Sequence, residues 1–158
     1  MQFSPRTQKI IFWCALALSI LWLLFIFSNS FDNGAESDKK SSVVTKFIND
    51  ILHTIGFKGE IPHKVVRKLA HFGEFAILAV FVSITLHFSP KKISVLFSPA
   101  ICFVCASADE ILQNFSAGRG PRFTDVLIDT SGAICGTLAI WVLYLLLSKL
   151  TKRNKKHL

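Results

Sequence analysis

Hydrophobic residues fall in four long runs along the chain, and polar residues break them at few positions. Ile10–Phe27 and Ile93–Ala108 carry no charge. Leu69–Phe88 is interrupted by His71 and Glu74, and Val126–Leu147 by Asp129. A helix needs roughly 20 predominantly apolar residues to cross a bilayer, so the runs predict four spans, over about residues 9–28, 68–88, 92–113 and 125–148. A soluble helical bundle would leave a polar face on each helix. Ile10–Phe27 and Val126–Leu147 show none. The first run follows Arg6 and Lys9, as the core of a secretory leader would. It is longer than such a core, and no A-x-A site follows, so it reads as a retained helix.

The link between the first two runs has its own pattern. Phe31–Ser42 is rich in Asp, Asn, Gly, Ser and Lys and reads as a flexible surface segment. Val44, Phe47, Ile48, Ile51, Leu52 and Ile55 then recur at helical spacing, with Lys46, Asn49, Asp50 and His53 elsewhere. This predicts a short amphipathic helix that ends near Gly56. Packing on the bundle is the expected arrangement; lying in the membrane interface is the alternative. The predicted fold is therefore all-α: a single-domain integral membrane bundle of four transmembrane helices, with a short amphipathic helix in the first outer loop. Pro99 predicts a kink in the third span. Gly132 and Gly136 form a G-x-x-x-G pair in the fourth, which reads as close helix packing.

Charge fixes the orientation. Arg6 and Lys9 precede the first span, Lys91 and Lys92 fill the link between the second and third, and Lys149, Lys152, Arg153, Lys155 and Lys156 follow the fourth. Basic residues beside spans mark the cytoplasmic side. All three clusters share that side only with an even number of spans and both termini cytoplasmic. The net charge of +8 is thus accounted for without nucleic acid. Lys64, Arg67 and Lys68 run against this rule on the outer loop, and anionic head groups or an acidic partner are candidate reasons. Cys14, Cys102, Cys105 and Cys135 all lie within spans, and read as small packing residues. The spacing indicates neither a disulfide framework nor a zinc site.

The remaining polar residues gather at the outer ends of three spans. Arg67, His71 and Glu74 are spaced i, i+4, i+7, on one face of the second helix. Glu74 lies about 10 Å below Arg67 at 1.5 Å rise per residue, where a carboxylate is costly unless paired, protonated or wetted. Asp109, Glu110 and Gln113 close the third helix. Asp125 and Asp129 open the fourth, where they also complement the helix dipole, with Thr124 as a candidate cap. A short loop with Gly118, Arg119, Gly120, Pro121 and Arg122 joins them.

The segment Arg67-Lys68-Leu69-Ala70-His71-Phe72-Gly73-Glu74-Phe75-Ala76 resembles the first signature of the VanZ-like family. Asp109-Glu110-Ile111-Leu112-Gln113, Gly118-Arg119, Asp125-Val126-Leu127-Ile128-Asp129, Gly132-Ala133 and Gly136 resemble its second. The family often has His where Leu112 stands. The resemblance, over about residues 10–147, implies a multi-pass protein of the bacterial plasma membrane. Its namesake is associated with lowered susceptibility to the glycopeptide teicoplanin.

Three functions fit these residues. The first is an outward-facing site that binds or modulates envelope lipids or cell-wall precursors. There Arg67, Lys68, Arg119 and Arg122 engage phosphate or carboxylate, with Gln113, Asp125 and Asp129 as further binding residues. The second is an enzyme acting on a lipid-linked or phosphate-bearing substrate. His71 and Glu74 then form its acid–base pair; Asp109, Glu110, Asp125 or Asp129 hold a divalent cation such as Mg²⁺. The third is transport, with Glu74 and Asp129 carrying protons.

Overall fold

The computed structural model describes residues 3–32, 34–91, 93–116, 118 and 120–154. Its described residues form five α-helices: α1 (Pro5–Ser30), α2 (Gly34–Thr54), α3 (His63–His87), α4 (Ser98–Gln113) and α5 (Phe123–Asn154). A 3-10 turn, Val95–Phe97, leads into α4. Four segments are long and apolar enough to cross a membrane: Pro5–Ser30, His63–His87, Val95–Gln113 and Phe123–Leu150. Large apolar side chains face outward along them, Leu21, Leu24, Val104 and Leu146 among them. That surface suits lipid, because every backbone polar group inside a helix is already satisfied.

Helix α3 is the centre of the bundle. It contacts α1, α2, α4 and α5, most broadly α5. Phe75, Leu78, Ala79 and Val82 of α3 are buried with Ile26 of α1, Cys102 and Ala106 of α4, and Val126 and Ala133 of α5. Lipid tails are as apolar as leucine, so backbone proximity and van der Waals contact hold such helices together. The glycine pair provides that proximity. A Cβ at Gly132 would lie 2.1 Å from the Phe72 carbonyl oxygen, and one at Gly136 would lie 2.2 Å from that of Ala76. The two glycines of α5 therefore seat two successive turns of α3. Ser98 adds a polar tie, donating to the Ala79 carbonyl at 3.1 Å. All four cysteines are free, and Cys102 is a core packing residue.

Three local expectations are corrected. Pro99 does not kink a helix already under way. It stands in the first turn of α4, where its missing N–H has no partner to lose. Thr124 is the second residue of α5, not its cap; the Arg122 carbonyl accepts the first amides, those of Asp125 and Val126. Helix α2 is the largest difference. It starts at Gly34, so the polar stretch read as flexible is mostly helix. Ser41 and Thr45 hydroxyls bond back to the carbonyls one turn earlier, and Asp38 pairs with Arg67 of α3. Nor does α2 bury its apolar face on the bundle: Val44, Phe47, Ile51 and Ile55 are 48–73% exposed, and Thr45 alone is buried. The helix ends as expected at Gly56. Its φ of +90° allows a Schellman closure, with Phe57 N–H on the Leu52 carbonyl and Gly56 N–H on that of His53. Asn49 then staples the following loop through two hydrogen bonds to the Ile61 backbone.

Candidate functional site

Helix polarity brings the C-terminal ends of α1 and α4 and the N-terminal ends of α3 and α5 to one end of the bundle. Asp109 sits at its centre and is fully buried. Ser30, the last residue of α1, donates to its Oδ1. Gln113, one turn on along α4, donates to Oδ2 at 2.8 Å. Ser116 closes the circuit by donating to the Ser30 carbonyl at 2.8 Å. Glu110 is buried as well, and its Oε2 accepts the Arg122 backbone N–H at 2.7 Å, which pins the α4–α5 loop. Such charge-assisted bonds to a carboxylate are the stronger kind.

The cationic side chains sit nearer the surface. Arg67 pairs with Asp38 of α2 at 3.0 Å, and Lys68 lies 3.7 Å from Asp125 of α5. His71 Nδ1 is 3.8 Å from Glu74 Oε2. The Glu74 backbone is held in turn, its carbonyl accepting the Trp22 indole N–H at 2.9 Å.

Between these groups opens a cavity of about 200 Å³. Its walls include Arg67, Lys68, His71, Glu110, Gln113, Arg122, Asp125 and Asp129. A second cavity, of about 170 Å³, runs along the other flank of Arg67 and His71, with Glu74, Asp32 and Lys40 in its lining. Of the candidate residues, eight thus share the first cavity, Glu74 faces the second, and Asp109 stands behind the wall that Gln113 and Glu110 form. Arg119 lies outside the described residues.

Sequence reasoning missed Ser30 and Asp38. Ser30 ends an apolar run and offers no periodic signal. Asp38 and Gly34, another wall residue, fell in the segment read as flexible. Lys64 was visible as a basic residue, but nothing in the spacing aimed it at the cavity that it lines. His71, Asp109 and Asp129 each place one donor atom within 4.8 Å of the others. Asp129 stood out in the sequence as the lone charge within the fourth apolar run, but its spacing did not show that it meets His71 and Asp109.

A four-span helical membrane bundle with a charged pocket at one end defines the class of this protein. A family model, VanZ/LLP1, matches residues 13–146, and the chain belongs to that family. No curated protein and no solved structure matches the chain.

Proposed function

We propose that the pocket binds the anionic head group of an envelope lipid or a lipid-linked cell-wall precursor at the outer face of a bacterial plasma membrane. The observation that carries this reading is the make-up of the first cavity. Lys64, Arg67, Lys68 and Arg122 line it beside His71, Glu110, Asp125 and Asp129. Guanidinium and ammonium groups suit phosphate or carboxylate oxygens, while the acids and Gln113 suit hydroxyl and amine substituents. The basic clusters at 6–9, 91–92 and 149–156 support cytoplasmic termini, and the pocket then faces outward. The exposed apolar face of α2 supports a place for that helix in the interface, beside the head groups. A head-group site of this kind would fit the lowered teicoplanin susceptibility associated with the family's namesake.

The test is binding of full-length protein to nanodiscs or micelles carrying phosphatidylglycerol or a polyprenyl phosphate, against phosphatidylcholine alone. Preference for the anionic lipid is expected, and Arg67→Gln with Arg122→Gln should remove at least tenfold of it, about 1.4 kcal/mol. Equal binding by the double variant overturns the reading.

One observation favours a second reading, a membrane enzyme. His71 faces the first cavity and its Nδ1 lies toward Glu74, an arrangement suited to a general base with an orienting carboxylate. A changed lipid species in extracts of cells expressing the wild type, but not His71→Gln, distinguishes this reading from binding alone.

A further inference from the structure

Among the described residues, Asp129 is the acidic side chain that the hydrogen-bond network leaves out, beside the hydroxyls of Ser83 and Thr137. It is 1% exposed, and neither carboxylate oxygen has a hydrogen-bond partner. Buried charges in proteins are paired or coordinate metals. Three helices converge at this point: one donor atom each from His71 on α3, Asp109 on α4 and Asp129 on α5 lies within 4.8 Å of the other two. We infer that these three side chains hold a divalent transition-metal ion.

The donor set selects the metal. Mg²⁺ and Ca²⁺ take oxygen ligands. One imidazole nitrogen with two carboxylate oxygens suits Zn²⁺ or Mn²⁺. The surroundings suit ligation too. Ser30 and Gln113 fix both oxygens of Asp109, and hydrogen-bonding outer partners of this kind orient metal ligands; Glu74 stands near the other ligand, 3.8 Å from His71 Nδ1. His71 and Asp129 also line the first cavity, which provides an entry path. Three protein donors leave coordination positions open on a tetrahedral or octahedral ion, and a phosphate oxygen in the pocket is the chemistry that would fill one.

The experiment uses full-length protein in detergent micelles, stripped with chelator and titrated with Mn²⁺, Zn²⁺ or Mg²⁺ alone. One Mn²⁺ or Zn²⁺ per chain is expected, with Mg²⁺ at least tenfold weaker and a metal-dependent rise in melting temperature. Asp129→Asn and His71→Gln should each weaken Mn²⁺ binding at least tenfold and abolish the rise. Asp50→Asn, on the exposed side of α2, should change neither. Metal-free Asp129→Asn should melt no lower than the metal-free wild type, because it loses an unpartnered carboxylate; this separates loss of a ligand from loss of fold. Wild type without a metal-dependent shift, or Asp129→Asn with an unchanged one, overturns the inference. No lipid is present, so failure here leaves the head-group reading standing, and the converse holds.

Discussion

Ser30 shows how much one hydroxyl contributes in this bundle. It is nearly inaccessible and donates to a carboxylate that has no access to water. A donor lost from a buried charged acceptor costs about 1–3 kcal/mol. Ser30→Ala is therefore expected to lower stability by about that amount, read as a fall in melting temperature in micelles; no change would mean that Asp109 finds another donor. The pair of Lys40 and Asp32 is the contrast. It joins exposed Lys40 of α2 at 2.6 Å to half-buried Asp32 in the α1–α2 link, and ion pairs with a solvent-exposed partner contribute little, about 0–1 kcal/mol. Lys40→Ala should leave the melting temperature nearly unchanged. Both pairs join polar residues near the end of α1, and burial alone separates their effects. Burial was the quantity that the sequence could not convey. Asp109 was legible as part of an acidic helix end, but its donor, a single serine after eighteen uncharged apolar-run positions and a short polar tail, resembled any interfacial serine.

The α3–α5 contact rests on glycine at the element scale. Gly132→Ala forces a Cβ against a backbone carbonyl, and overpacking of this kind costs about 1–3 kcal/mol. Gly73, in the middle of α3, has nothing within 4 Å of its own Cβ position. Gly73→Ala should be neutral or stabilising by about 0.5–1 kcal/mol, the usual helix preference for alanine. Thermal unfolding of the two variants checks this, and similar losses in both would remove the packing account. The spacing of Gly132 and Gly136 was readable because close helix approach has a sequence signature. The first half of α2 was not, because its helix is held by tertiary ties, Arg67 to Asp38 foremost, rather than by an apolar stripe. A further expectation concerns the exposed side of that helix. An environment-sensitive label at Phe47→Cys should be quenched by spin-labelled lipid rather than by aqueous iodide. Dominant iodide quenching would place α2 in water.

At the scale of the whole molecule, orientation is open to a direct check. With the native cysteines replaced, Gly120→Cys should react with an impermeant maleimide on intact cells, and Lys91→Cys only after permeabilisation. The reverse pattern would turn the pocket inward and sink the head-group reading. Four spans were legible because long apolar runs have few other uses. The pocket was legible in membership but not in depth: spacing put Arg67, His71 and Glu74 on one face, yet Glu74 lines a different cavity from most of the group. Depth depends on how closely the helices approach, and that returns to the two glycines. Gly132 lies three residues beyond Asp129, and its contact, Phe72, adjoins His71. Any side chain inserted there pushes apart the two helices that carry His71 and Asp129. The glycines thus act as a spacer gauge for residues that they never touch, so a relative with every charged residue intact but a bulkier residue at the position of Gly132 would carry the same chemistry at the wrong separation.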